Sequence, residues 1–454
     1  MEPSHLTHSL QRLQETSLDE LEQQIASGER AADLRAVLGE EQAAWAEQIA
    51  RTGSSQVLSG AEKPLVVLLP GITGSSLMNV VGDIGTIWFN PLALKAGKLG
   101  LLKLDAEDQN DAVPTVRIVP SGLLAIYYLT IQLYLKFWCG CDVLNFPYDW
   151  RRTPDIAAEE LRKLIVGQFA QGGRKAHLVG HSMGGLVARN FCLRYPDEAM
   201  QCVAQIIQLG TPNYGSCEPI RNLTVGSDTS RLVEKLNAAN APLDVIRTCP
   251  GLYAMLPVPA EFYPADAPQP YPYTGDMDYY QAAAYSNEHV LPAHIRAACE
   301  GYAWLAQVGE LAVPTTIIAG YDLPTCLGVT RVDGAPGFDF QACTQADGDG
   351  TVPLASVTAL PGAKRWYARG IQHVSLPGAP VVQRAVRALI FGEQVQGLAP
   401  APYAMVLGDE TEEPGMPQPP LPGTLSEAEL DAAAARIRAG QALPEDVQVL
   451  AGAW

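Results

Sequence analysis

Six short apolar runs limit what this chain can fold into: "PLVVLLPG" (64–71), "DVLNF" (142–146), "AHLVG" (176–180), "VAQIIQLG" (203–210), "VPTTIIAG" (313–320) and "KRWYARG" (364–370). Several end in Gly or Pro, and helical patterns lie between many of them, as at 155–171, 184–195 and 378–391. Runs that are apolar throughout, separated by helices, describe strands buried on both faces. The expected class is therefore α/β, with a mostly parallel sheet covered by helices on both sides. One interval is long. Residues 213–312 are rich in Tyr and Pro, and so much chain between two strands is expected to form an inserted cap or lid.

The flanks differ from this centre. Residues 1–58 are expected to be a helical extension and linker, with Ser17 and Glu20 as a capping box and Gly28 as a break. The α/β domain is expected over 59–396, a Pro/Gly-rich linker over 397–424, and a helical segment over 425–454 with Ser426/Glu429 as a second capping box. Both end pieces read as separable from the core. The most apolar window, "GLLAIYYLTIQLYLKFWCG" (122–140), reads as a buried amphipathic helix rather than a membrane span. Gln132 and Lys136 share one face, and a strand follows at once.

A net charge of −18 argues against nucleic acid as a partner and against long-range steering to an anionic membrane. The polar start shows no secretory signal, and nine scattered cysteines suggest a reduced, cytoplasmic chain. Export by a signal-less route would leave the same sequence.

The candidate chemistry begins in "LVGHSMGGLVARN" (178–190), where a strand-like run meets a helix-like run at Gly180-His181-Ser182-Met183-Gly184. Small neighbours allow a sharp turn that exposes the Ser182 hydroxyl at the strand's C-terminal end. A serine nucleophile needs a base, an acid that orients it, and donors for the oxyanion. Of seven histidines, His5 and His8 lie in the polar start, His177 and His181 are too close in sequence to Ser182, and His289 and His294 fall in the cap. His373, in a loop between the last strand and the last helix of the domain, is the candidate base. "QADGDGTVP" (345–353) offers Asp347 and Asp349 as the acid; Asp349, with small neighbours on both sides, is the choice, and Asp322 in "IAGYDLPT" is a rival. The Asp-Gly-Asp-Gly run has too few oxygen ligands for calcium. Ile72 in "LLPGITGSS" and Met183 are the candidate oxyanion donors. This chemistry requires no metal and no cofactor.

Taken together, "VVLLPGITGSSL", "TIWFN", "NFPYDWRRTP", "LVGHSMGGLVARNF", "QLGTPNYGS", "GLYAMLPVP", "IAGYDLPT", "DGDGTVP" and "IQHVSL" resemble the lecithin:cholesterol acyltransferase-like group of α/β-hydrolases, in that family's order, over about 64–392. The resemblance implies an α/β-hydrolase fold with Ser182, Asp349 and His373 as triad and Ile72 and Met183 as oxyanion donors. No Cys precedes Cys139, so the early disulfide of the family's secreted members is absent. The segment at 91–105, apolar with Lys95, Lys98 and Lys103, lies where their membrane-docking segment falls; it reads as a lipid-touching patch or as a helix with a solvated basic face. Asp149 and Arg151 are expected to pair and pin a loop. Trp88, Tyr214 and Tyr253 are candidate substrate-binding residues. The reaction expected is cleavage of a lipid acyl ester, as by a phospholipase or lipase. The alternatives are acyl transfer to an alcohol, a smaller-substrate esterase, or an interaction protein whose helical ends recruit partners. The expected partners are a lipid or other acyl ester, transient contact with a membrane surface, and a protein held by the terminal helices.

Overall fold

The computed structural model describes residues 5–53, 63–105, 110–286, 289–332, 337–341, 343–402, 421 and 423–452. The six apolar runs become one six-stranded sheet: β1 Leu65–Leu69, β2 Asp142–Asn145, β3 Ala176–His181, β4 Val203–Leu209, β5 Thr315–Tyr321 and β6 Lys364–Arg369. The spatial order is β6-β5-β4-β3-β1-β2, and every neighbouring pair is parallel. β1 and β5 are buried at every position, as continuous apolar strands covered on both faces must be. The order reverses beside β1, so the carboxyl ends of β1 and β3 lie next to each other, with Leu69 opposite Gly180. In open α/β sheets such a reversal leaves a crevice where ligands bind.

The window at 122–140 starts in a strand (Ile118–Leu123), continues as helix α1 (Ala125–Leu133) and ends in a wider turn of helix, Tyr134–Trp138. α1 is buried on nearly all sides, and among the described residues no helix is long and apolar enough to cross a membrane. Ile118–Leu123 pairs with Ser75–Asn79, which also pairs with Gly85–Trp88, in a small antiparallel sheet. The segment at 91–105 holds a five-residue helix and a short 3-10 turn. Its lysines are engaged: Lys98 with Asp83 (2.6 Å), Lys103 with Asp244 (3.4 Å) and Lys95 with the Arg438 carbonyl (3.2 Å). The exposed apolar side chains nearby are instead Val81 and Ile84, between two strands of the small sheet, together with Leu92.

The ends depart from the expectation of separable pieces. Of the N-terminal helices (His5–Glu15, Leu18–Ala26, Ala31–Leu38, Glu40–Gly53), the first, second and fourth lie against α1, and the fourth also against the turn that follows it; Lys136 in that turn pairs with Asp19 (2.9 Å), and Trp45 Nε1 donates to Gln383 on the helix Pro380–Phe391 (2.7 Å). In the cap, helix α3 (Asp228–Leu236) supports both C-terminal helices, α4 (Glu427–Ala439) and α5 (Pro444–Ala451). α5 also meets Ala31–Leu38, so the two ends touch each other. The physical reason is apolar burial: Leu21, Ile25, Leu34, Ile49, Leu430, Ile437, Val447 and Leu450 are all almost fully covered. The Ser426/Glu429 box closes in both directions, and the Ser17 hydroxyl accepts from the Glu20 N–H at 3.3 Å. The first linker, 54–62, and residues 403–420 of the second lie outside the described residues. Leu398 and Ala399, at the head of the second, are buried, and Ala399 bridges to Tyr367 on β6.

One buried charge ties the loop after β2 to the rest. Arg151 is fully covered; its guanidinium donates to both Asp149 oxygens (2.8 and 2.7 Å), to Asp111 (2.8 Å) and to the Leu102 carbonyl (3.0 Å). Burial works against the charge, but Asp149 and then Asp111 outweigh it and hold the guanidinium's pKa above its ordinary value. Removing one partner of such a cluster strands the others. Arg151→Met is expected to lower stability by about 3–5 kcal/mol in urea unfolding. A loss under about 1 kcal/mol would show that the loop is held by its aromatic packing alone.

Candidate active site

Ser182 sits between β3 and helix α2 (Met183–Arg194) with φ 52° and ψ −125°, a conformation that side-chain-bearing residues rarely adopt. The turn is so tight that a Cβ on Gly180 would lie 2.7 Å from the Gly185 backbone, and one on Gly184 would lie 2.4 Å from the Leu69 carbonyl oxygen. Those two glycines are therefore required by close approach. The N-terminus of α2 supplies the Met183 N–H beside the serine.

The reversal in the sheet brings the loop after β1 against this turn. A Cβ on Gly71 would touch the Ser182 Cβ at 3.0 Å and the Oγ at 3.5 Å, so Ile72 follows directly at the nucleophile's side. The loop after β6 brings His373, whose Nδ1 lies 2.8 Å from Asp349 Oδ2. Asp349 is itself fixed, because its Oδ1 accepts from the N–H groups of Val352 (2.8 Å) and Thr351 (3.1 Å). The main chain repeats the link, since the His373 N–H donates to the Asp349 carbonyl at 2.9 Å. Asp322, the rival acid, turns away to Arg369 (2.7 Å). Asp347 is half-buried, and burial pushes its carboxyl up.

Ser182, His373, Asp349 and Ile72 line one cavity, otherwise walled largely by apolar side chains such as Met255, Val352 and Val374. Ser182 is 5%, His373 2% and Asp349 1% exposed, so this is a covered site. Part of the cover is the C-terminal segment, from which Leu421, Leu425, Val449 and Gly452 reach the cavity. Sequence reasoning missed these residues. Their only signal was the apolar Leu425 before the Ser426 cap, which reads equally well as the start of an independent helix.

None of the three aromatic substrate-binding candidates lines this cavity. Trp88 is core: its Nε1 donates to the Thr73 carbonyl (2.7 Å), and its ring packs edge-on against Phe89 and Trp150. Tyr214 packs against Tyr263, and the Tyr253 hydroxyl donates to the Arg247 carbonyl at 2.9 Å. Each buries an aromatic body and satisfies its polar group, where it has one engaged, locally. Trp88 thereby supports the loop that carries Ile72 instead of touching substrate.

A family model described as lecithin:cholesterol acyltransferase matches residues 139–273, the stretch that holds the Ser182 turn. Over that stretch the chain resembles the lecithin:cholesterol acyltransferase family. It is 26% identical over 298 residues to the phosphatidylcholine-sterol acyltransferase of Homo sapiens, covering 61% of this chain and 62% of that protein. It is 32% identical over 113 residues to the lysosomal phospholipase A and acyltransferase of Homo sapiens, covering 23% and 27%. The chain thus spans about three fifths of the length of the first of these relatives. A solved structure titled "The crystal structure of Tle4-Tli4 complex" matches at TM-score 0.49 and 15% identity, over 73% of this chain and 98% of that one.

The two acids give a direct test. Asp349→Ala is expected to lower kcat on a p-nitrophenyl ester by about 10³–10⁴-fold, while Asp322→Ala, which loses a part-exposed ion pair, changes it by no more than about twofold. The reverse ranking would make Asp322 the acid.

Proposed function

We propose that this protein cleaves acyl esters of lipids through an acyl-enzyme on Ser182. The observation that carries the reading is a strained serine facing a covered, largely apolar cavity that also holds a histidine bonded to a buried aspartate. In this reading Ser182 Oγ attacks the ester carbonyl carbon and its proton passes to His373 Nε2. Asp349 keeps the ring oriented and stabilises the imidazolium. The N–H groups of Ile72 and Met183 receive the oxyanion. Collapse breaks the bond to the alkoxy oxygen, which leaves as an alcohol with the proton from His373. Water, or an alcohol acceptor, then attacks the acyl-enzyme by the same steps in reverse.

The names of the relatives support lipid substrates and keep acyl transfer as the second reading. Val81 and Ile84 are the surface residues best suited to touch a membrane. The nine free thiols favour a reducing, cytoplasmic location. Phospholipid vesicles with a long-chain alcohol separate the two chemistries. Ser182-dependent free fatty acid is expected, with Ser182→Ala inactive; wax-type ester formed at the expense of fatty acid would make the protein a transferase. Cleavage of small p-nitrophenyl esters alone would leave only an esterase.

The C-terminal segment is proposed to control entry rather than to recruit a partner. It is strapped to α3, where Arg231 and Lys235 pair with Glu427, and Lys235 also pairs with Asp431 (2.7 Å). Hydrogen bonds from Lys235 and then Arg231 hold the Glu427 carboxyl down at about 2. A depressed carboxylate contributes its share of docking above its ordinary value of 4.5 and loses it as pH falls toward 2. Exposed pairs are screened by solvent and add little each, and the apolar seam of Leu430 and Ile437 remains when they go. Glu427→Lys with Asp431→Lys is therefore expected to raise turnover of a soluble ester by several-fold, up to about tenfold, and to shrink its dependence on salt. Unchanged turnover would mean that the segment does not limit entry.

A further inference from the structure

The proposed mechanism needs three loop tips held together, and the sheet positions only their beginnings. The Gly71–Ile72 tip follows β1, Ser182 follows β3 and His373 follows β6. Transition-state geometry must be kept to about 0.5 Å, and an error of 1 Å costs about 10²-fold in rate. The structure contains a buried polar chain that joins all three tips and is used in none of the chemical steps.

The Gly71 N–H donates to Tyr128 Oη at 2.8 Å, and Tyr128 Oη lies 2.8 Å from His181 Nδ1. On the other side of the same ring, His181 Nε2 lies 3.0 Å from the His373 carbonyl oxygen. The chain has one consistent direction. The phenol oxygen accepts from Gly71, so its own proton goes to Nδ1. His181 is then the neutral tautomer with its proton on Nε2, which donates to the His373 carbonyl. His181 is the residue immediately before the nucleophile, and Tyr128 is fixed on α1. The His181 and His373 rings lie 5.0 Å apart between centroids.

We propose that His181 and Tyr128 are positioning residues, which set the mutual placement of the oxyanion-donor loop, the nucleophile turn and the catalytic histidine. The inference rests on the reading of Ser182 as nucleophile. The groups facing the His181 ring are the Tyr128 phenol and His373, with Asp349 behind the latter. Burial first, and the neighbouring His373 second, hold the His181 pKa well below its ordinary value, which keeps the ring in the neutral form that the chain requires. A histidine buried only for packing would have no need to bridge two loops. Here one ring nitrogen reaches the His373 carbonyl, and the other reaches the oxyanion-donor loop through Tyr128.

Four variants of the full-length protein test this on a p-nitrophenyl ester: Tyr128→Phe, His181→Gln, His181→Leu and the double Tyr128→Phe/His181→Leu. Gln carries both an acceptor and a donor and can restore the link to the His373 carbonyl. The expected result is a fall in kcat of about tenfold or more for Tyr128→Phe and about 10²-fold for His181→Leu, with KM within about twofold in each. His181→Gln should recover a clear part of kcat, and the double variant should be no slower than His181→Leu alone, because one chain is broken once. Wild-type kcat in Tyr128→Phe, multiplicative losses in the double variant, or equal losses for Gln and Leu would each overturn the proposal. Tyr128→Phe keeps the ring and is the variant to rely on should the His181→Leu proteins fail to fold. Ser182→Ala is run beside them. Retained activity there would remove the nucleophile reading itself, an outcome distinct from failure of the positioning chain.

Discussion

Everything in the candidate site depends on the tightness of one turn. Ser182 holds φ 52°, which costs on the order of 1–3 kcal/mol and persists only where the surroundings fix it. They do so by backbone contact. α2 lies so close to β3 and to the end of β1 that Gly180 and Gly184 leave no room for a side chain. The same closeness puts the loop after β1 against the serine. Ser182 and Ile72, the candidate nucleophile and oxyanion donor, are therefore neighbours because the strands beneath them are. The reversal of strand order at β1 is what makes room for a ligand above them.

The parts legible in the sequence were those set by local rules. The central strands β1 and β5 are buried at every position, while the edge strands β2 and β6 carry polar or charged residues at their ends, yet all six could be read to within a residue or two. The nucleophile turn shows its glycines in one stretch. His373 was legible by elimination, since the chain has few histidines and only one stands in a loop after the last strand of the sheet. Asp349 over Asp322 was a choice on neighbouring small residues, and the geometry places Asp349 at the His373 ring and Asp322 at Arg369. What failed was reading side chains by type. Trp88, Tyr214 and Tyr253 lie in conspicuous motifs, yet each is buried away from the cavity. An aromatic in a motif is as readily a support for the loop as a wall of the site, and only three dimensions separate the two roles. His181 shows the same limit from the other side. Its position next to Ser182 rightly removes it as the base, but nothing in the sequence shows that its ring spans from Tyr128 to the His373 carbonyl.

The terminal pieces were misjudged for a related reason. Their capping signals are local and mark helices, but what a helix packs on is a long-range property. α4 and α5 were expected to stand beyond a stiff linker; instead they bury Leu430, Ile437, Val447 and Leu450 against α3, and α5 with Leu421 and Leu425 before α4 covers the cavity. The Pro/Gly-rich composition of 397–424 gave no hint that Ala399 would bridge to β6 or that Leu421 would reach the site.

Ser182 is only 5% exposed, and what covers it is held by contacts of its own. The cover is made of two kinds of contact. An apolar seam fixes where the segment sits, and a rim of exposed charge pairs on α3 adds a small increment that salt and acid can remove. The catalytic tips are held differently, by short hydrogen bonds sealed from water, among them the two that place His181 between Tyr128 and His373. The two meet at few polar points, where Thr73, beside Ile72, donates to the Gly452 carbonyl (3.5 Å) and Tyr127, beside Tyr128, donates to the Gln448 carbonyl (3.1 Å), so the cover and the tips are coupled through the loop after β1 and through α1.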